Sequence, residues 1–208
     1  MDSPEITSAL DALRRRIAPG TRTILGIAGA PGSGKSTFAA WLQEQFSPGS
    51  SVVVPMDGFH LGNAIIEGTP LRKRKGAMDT FDAGGYLSLL RRLVRRDEAV
   101  VYAPEFRRVI DEPVAASIAV PADVPLVITE GNYLLADQEP WKEIRAQLDE
   151  VWFLETPPTL RLQRLVDRHV SFGMDREAAV AWANGPDEAN ARLIQATRPA
   201  ADRIIPWL

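Results

Sequence analysis

Apolar and polar positions along the chain change period repeatedly, and the changes mark its elements. Ile6, Leu10, Leu13 and Ile17 recur at helical spacing, behind a capping Ser3 and a Pro4 at the first helical position, and Pro19-Gly20 reads as the stop. Residues 23–28 are a short apolar run, the pattern of a strand buried on both faces. Phe38, Trp41, Leu42 and Phe46 return to helical spacing, with an end near Pro48-Gly49. Residues 51–55, 125–131 and 149–154 repeat the buried-strand pattern, and 203–206 form a last short strand. Asp82 reads as the cap of a helix that turns Tyr86, Leu89, Leu90 and Leu93 inward. A further helix opens at Thr156-Pro157-Pro158, and another is capped by Asp175 and interrupted at Asn184-Gly185-Pro186. A fresh start at Asp187 runs through Asn190 and Ile194, and Thr197-Arg198-Pro199 ends it.

Two stretches fall outside this rhythm. Residues 61–81 have no clear period and hold the basic run Arg72-Lys73-Arg74-Lys75, for most of the four a solvated face, with one of them reaching an anionic substrate as the alternative. Residues 99–103 and 115–120 are β-prone pieces that pair as a small excursion near 99–120. Between them Tyr102–Arg108 is either a surface loop or a ligand contact. Five apolar strands alternating with helices predict an α/β, three-layer fold: a five-stranded parallel sheet covered on both faces. One domain spanning 1–208 is expected, with a lid region at about 157–185.

Composition narrows the function classes. The net charge is 24 − 27 = −3, which gives no global reason to expect nucleic acid or an anionic membrane as partner. With no cysteine, disulfides, thiolate metal sites and thiol catalysis are excluded. No apolar signal core or membrane-length run is present in the sequence, so a cytoplasmic protein is the expectation.

The strongest chemical signal lies between the first buried strand and the helix after it. Gly29-Ala30-Pro31-Gly32-Ser33-Gly34-Lys35-Ser36-Thr37 matches G-x-x-x-x-G-K-[ST], the phosphate-binding P-loop. A glycine-rich turn there aims consecutive N–H groups at one point, at the positive end of a helix dipole. Lys35 is expected to reach the β- and γ-phosphates of ATP, and the Ser36 hydroxyl to ligate Mg²⁺.

Two acids stand at strand ends, where open α/β sheets bind ligands. Asp57 follows strand 51–55 and is either a reacting carboxylate or a turn carboxylate satisfying local N–H groups. Glu130 ends strand 125–131 and is either a Mg²⁺-side acid or a loop acid paired with a base. Arg161, Arg164 and Arg168 share a helix face opposite Leu162, Leu165, Val166 and His169. They are a phosphate-closing stripe or an ordinary exterior, and His169 reads as structural. Asp82-Ala83-Gly84-Gly85 fits the D-x-x-G pattern of GTPase switches formally, but the chain has no N-K-x-D guanine motif.

Taken together, the P-loop, Asp57-Gly58-Phe59-His60, Thr129-Glu130-Gly131-Asn132-Tyr133, the arginines after Thr156 and the segment Asn190–Asp202 resemble one family. It is the phosphoribulokinase, uridine kinase and bacterial pantothenate kinase group. Within it the chain is similar to bacterial nucleoside/nucleotide kinase-like sequences described as fructose transport system kinases. The resemblance runs from about Thr23 to Ile205. It implies an ATP- and Mg²⁺-dependent kinase for an alcohol, with Asp57 as catalytic base and Glu130 near Mg²⁺ and the substrate hydroxyl. Arg168, with Arg161 or Arg164, falls among the lid arginines, and Asn190 and Arg198 fall where the adenine is enclosed. The Asp-Gly-Phe step is closer to pantothenate kinases than to the Asp-Ser-Phe of uridine kinases, yet the chain lacks the pantothenate kinases' long N-terminal part. Substrate identity therefore does not carry over; a sugar such as fructose is the favoured acceptor on the family description alone, with pantothenate or a nucleoside behind it and a non-catalytic nucleotide-binding partner of a transporter lower still. The only partner required is a small-molecule alcohol; no nucleic acid and no membrane insertion are expected, and homodimerisation is left open.

Overall fold

A computed structural model describes residues 3–18 and 20–208. Chain order is α1 (Pro4–Arg16), β1 (Thr23–Ala28), α2 (Lys35–Glu44), β2 (Ser51–Pro55), α3 (Asn63–Ile66), α4 (Ala83–Arg95), β3 (Val100–Arg107), β4 (Glu112–Pro121), β5 (Leu126–Glu130), α5 (Trp141–Arg145), β6 (Glu150–Glu155), α6 (Pro158–Ser171), α7 (Arg176–Trp182), α8 (Glu188–Ala196) and β7 (Arg203–Pro206). Five strands make a parallel sheet in the order β2-β5-β1-β6-β7, and β3 and β4 form a separate antiparallel ribbon. The apolar runs explain the sheet's centre: every residue of β1 and β5 is buried. Two cores sandwich it. Phe38, Leu42 and Leu13 pack with Trp152 on one face, while Tyr86, Leu90 and Trp141 pack with Phe153 on the other.

The caps behave as their side chains dictate. Ser3 accepts from the Ile6 N–H, Asp82 from Gly85 and Asp175 from both Glu177 and Ala178. The carboxylate of the formal D-x-x-G pattern is thus a helix cap. The Pro19 half of the proposed helix stop lies outside the described residues; α1 ends at Arg16.

Three expectations need correction. Asn184-Gly185-Pro186 does not break the chain's helix. A π-helical turn over Ala183–Asp187 absorbs Pro186 and runs straight into α8, since a widened turn accommodates a residue that cannot donate. Asp187 accordingly caps nothing; its carboxylate accepts from His169 Nε2 at 2.7 Å. By contrast α6 opens at Pro158, as Thr156-Pro157-Pro158 predicts, and the Thr156 hydroxyl lies within hydrogen-bond distance of the carbonyls of Ser33 (3.1 Å) and Trp207 (2.9 Å). Most of Tyr102–Arg108 is strand, not loop. Pro104 hid the alternation, and a register shift between Ala103 and Glu105 lets the ribbon tolerate it.

Residues 61–81 fold into α3 and two 3₁₀ turns, 70–74 and 78–80; only 70–74 has a side-chain cap, Thr69, and Ile66 is the one apolar residue that α3 buries. No helix among the described residues is long and apolar enough to cross a membrane.

Candidate active site

The carboxyl ends of β1, β2 and β5 open on one cavity of about 1010 Å³, with α6, α7 and α8 as its far wall. Its floor is the turn between β1 and α2. Gly32 has φ +79°, and a Cβ there would stand 2.5 Å from the Arg161 carbonyl. No side chain fits at that position, so α6 lies directly on the loop. Lys35 Nζ donates to the Gly29 and Ala30 carbonyls at 2.9 and 3.4 Å. Burial pulls the Lys35 ammonium below the usual lysine pKa, and Glu130 and Asp57 pull it back up.

Glu130 is 3% exposed, at the end of β5, and accepts from the Ser36 hydroxyl at 2.7 Å. Burial first, and then repulsion from Asp57, pushes its carboxyl above the ordinary value. Behind it, the buried Tyr86 hydroxyl bonds to Thr129 Oγ1 at 2.5 Å, and Thr129 donates to the Val54 carbonyl at 2.6 Å. That chain locks the ends of β2 and β5, and with them Asp57 and Glu130.

Asp57 sits in a 3₁₀ turn over Met56–Phe59 that a β2 of only five residues hands directly to the cavity. Gly58 lets the ribbon in: a Cβ there would be 2.3 Å from the Pro104 carbonyl. The ribbon's turn then presents Arg108, whose Nη2 lies 3.4 Å from Asp57 Oδ2. His60 donates from Nδ1 to the Asp57 carbonyl at 2.7 Å, assuming the neutral tautomer. Its ring packs on Phe81 (4.1 Å) and Phe106 (4.7 Å). Burial lowers its pKa, against the pull of Asp57, so the ring is neutral and Nε2 keeps its lone pair.

The three α6 arginines separate. Arg161 is 5% exposed and internal, donating to the Pro31 carbonyl at 3.0 Å and pairing with Glu188. It braces the loop and is not a solvated or closing charge. Arg164 and Arg168 line the cavity. Arg164 Nη1 is buried without a partner among the described residues, close to Gly34. Burial and then Arg108 lower the Arg168 pKa, and both guanidiniums line the cavity.

Of the loop residues singled out in the sequence, Pro31, Gly32, Gly34, Lys35, Ser36 and Thr37 line the cavity. Gly29 and Ala30 act through their carbonyls on Lys35, and Ser33 is buried beneath, its hydroxyl without a partner. Asn190 joins the lining and its Oδ1 accepts from the Tyr133 hydroxyl at 3.3 Å. Arg198 does not join: it turns away to Glu155 at 2.8 Å, and Trp207 stands over Gly34 instead. The sequence reading missed Trp207, Phe81 and Asn132 as cavity residues. Arg72 and Lys75 of the basic run, and Phe106 and Arg108 of the aromatic and basic cluster, do line it.

A strand–glycine loop–helix floor, an orphaned guanidinium beside it and two strand-end acids together define a P-loop nucleotide-binding site. No family model matches the chain. Individual proteins do. The chain is 33% identical over 198 residues to the uncharacterized protein YggC of Escherichia coli (strain K12), covering 93% of this chain and 81% of YggC. It is 30% identical over 221 residues to a Schizosaccharomyces pombe protein provisionally named uridine kinase C227.14, covering 100% of this chain and 94% of that one. A crystal structure from Silicibacter sp. TM1040, provisionally described as a fructose transport system kinase, matches with TM-score 0.85 and 39% identity, over 98% of this chain and 100% of that one. The chain belongs to the phosphoribulokinase/uridine kinase family of ATP-dependent P-loop kinases.

Proposed function

We propose that the protein transfers the γ-phosphoryl group of ATP to an alcohol hydroxyl of a small metabolite, with Asp57 as the base. The observation that carries this reading is the meeting of Lys35, Ser36, Glu130 and Asp57 at one end of one cavity. Nucleotide binding alone has no use for a carboxylate at Asp57, beyond the loop.

The residues fit the groups the reading requires. The unpartnered Arg164 Nη1 and the loop's N–H groups suit an anionic triphosphate. Ser36 Oγ and Glu130 Oε1 are hard oxygen donors 2.7 Å apart and would hold Mg²⁺. No cluster of three acids or histidines among the described residues would hold a metal unaided, so nucleotide phosphates and water would complete its shell. When bound, Mg²⁺ offsets charge on the phosphates.

Asp57 orients the acceptor hydroxyl and takes its proton as the oxygen–phosphorus bond forms. The bond from the γ-phosphorus to the bridging oxygen breaks, and ADP leaves with that electron pair. Lys35 and Arg168 offset the charge spread over the transferring oxygens, where positioning and electrostatics carry most of the catalysis. Asn190 and Trp207 are placed to flank the nucleotide, and α6–α7 act as the lid over 157–185. We regard 1–208 as one kinase domain working in the cytoplasm, its one required partner the alcohol; self-association is a matter for light scattering.

Fructose, from the description of the Silicibacter relative, heads the acceptors to try, with pantothenate and nucleosides next. The test is ATP consumption against that panel plus glycerate, with product mass confirmed. Lys35→Ala should abolish turnover; wild-type rates in that variant would remove Gly29–Thr37 from the reaction.

A further inference from the structure

The acceptor end of the cavity is rich in donors. Its ionic side chains are Asp57, Arg72, Lys75, Arg108 and Asp111, three cations against two acids. Most of that charge is already spoken for. Lys75 Nζ reaches Asp111 Oδ2 at 2.9 Å, the Asp111 carbonyl at 2.6 Å and Asn63 Oδ1 at 2.8 Å, so its three protons are used. Arg72 is bridged by Glu67 (3.2 Å) and Asp111 (3.5 Å).

Arg108 is different. Its one acidic contact among the described residues is Asp57 at 3.4 Å, the limit of a hydrogen bond. Its neighbour Arg107 is tied to Glu105 at 2.7 Å, so among the described residues Arg108 is the cation that the ribbon's turn presents to the cavity. A guanidinium presents five donors in a planar fork suited to carboxylate or phosphate. Here nearly all of that fork is unused, beside the carboxylate assigned to the reacting hydroxyl.

A neutral polyol can accept hydrogen bonds from this wall but leaves the Arg108 charge unbalanced. Its own O–H donors also find few free acceptors here beyond Asp57 and His60 Nε2. The reaction sharpens the mismatch. Once Asp57 takes the acceptor's proton it no longer balances Arg108, and a fixed anion on the substrate would.

Resting on the kinase reading above, we infer that the acceptor is an anionic alcohol, bearing a carboxylate or phosphate that Arg108 holds beside the reacting hydroxyl. The walls of His60, Phe81 and Phe106 suit a short carbon skeleton between the two groups. This moves pantothenate-like and glycerate-like hydroxy acids, or phosphorylated sugars, ahead of fructose itself.

The experiment uses matched pairs: glycerate against glycerol, pantothenate against panthenol, gluconate against glucose, fructose 6-phosphate against fructose. Productive members should be the anionic ones, the hydroxy acids and the sugar phosphate forming separate arms. Arg108→Ala should lower their kcat/KM by roughly 10–100-fold, with Arg108→Lys recovering part, while affinity for a non-hydrolysable ATP analogue holds. A neutral member matching its charged twin overturns the inference. So does a loss in Arg108→Ala that falls on nucleotide affinity, which would put Arg108 on the γ-phosphate. If no pair turns over, calorimetric titration of glycerate and of inorganic phosphate into the analogue–Mg²⁺ complex decides. Binding lost in Arg108→Ala supports the inference, and Arg108-independent or absent binding rejects it. The kinase reading is scored separately, by whether any acceptor, charged or neutral, is phosphorylated and whether Lys35→Ala abolishes that turnover.

Discussion

Ser36 donates its hydroxyl to Glu130 across 2.7 Å, joining the first turn of α2 to the end of β5. The contact holds a carboxylate where the protein interior disfavours its charge. Burial and Asp57 raise the Glu130 pKa above the ordinary 4.5. The folded state therefore binds this proton more tightly than the unfolded state. Stability is full below the ordinary value and declines as pH rises through the raised one. Ionising Glu130 is thus a cost to the fold. Glu130→Gln should raise the Tm of the nucleotide-free protein at neutral pH and flatten its decline above the ordinary carboxylate range. In the same variant kcat should fall by roughly 10²-fold or more. Scanning calorimetry across pH, paired with kinetics, checks both; a lower Tm with intact kcat would make Glu130 a structural acid.

Asp57→Asn keeps the shape of the 56–59 turn but removes a proton acceptor. General-base assistance is worth about 10²–10⁴-fold, so kcat should drop by that order while analogue affinity and Tm hold. A turn-capping role predicts the reverse: a lowered Tm and nearly full kcat. Loss of nucleotide binding together with activity would move Asp57 to the Mg²⁺ side and leave Glu130 as base.

The α6 arginines should divide by function. Arg161→Met strands the Glu188 carboxylate and the Pro31 carbonyl, and should cost about 2 kcal/mol or more of stability together with nucleotide affinity. Arg164→Met and Arg168→Met remove groups aimed into the cavity, so Tm should hold and kcat/KM should fall. Equal thermal losses in all three variants would return the helix to an ordinary packing role.

His60 sets a different pH response. Burial depresses its pKa below 6.5, so the unfolded state takes up a proton the folded state resists. The sign is opposite to that of Glu130: stability is full above the ordinary histidine value and is lost as pH falls through the depressed one. His60→Phe, which keeps a ring between Phe81 and Phe106, should lose less Tm than wild type between neutral pH and the mildly acidic range. Parallel melting curves for the two proteins across that range would place the pH sensitivity elsewhere.

Much of the fold was legible because its signals are local. β1 and β5 read as buried strands from consecutive apolar residues, and Ser3, Asp82 and Asp175 read as caps because a cap is an interaction within three residues. Pro186 misled, since a proline's missing N–H breaks an α-turn but not the wider turn that the neighbouring helices hold in place. Trp141 and α5 gave no sign at all; five residues are too few to show a period, and α5 is kept by burial of Trp141 and Ile144 on the core.

The P-loop, the strand-end positions of Asp57 and Glu130 and the parallel sheet follow from residue type and spacing along a few turns of chain. Which arginine of α6 braces the loop and which face the cavity depends on packing, since Arg161, Arg164 and Arg168 share one stripe and differ only in what lies against them. Packing also puts Arg108 against Asp57, two residues 51 apart in the chain. That meeting depends on the ribbon's backbone closing onto Gly58, and a pairing across so long a separation leaves no trace in local pattern.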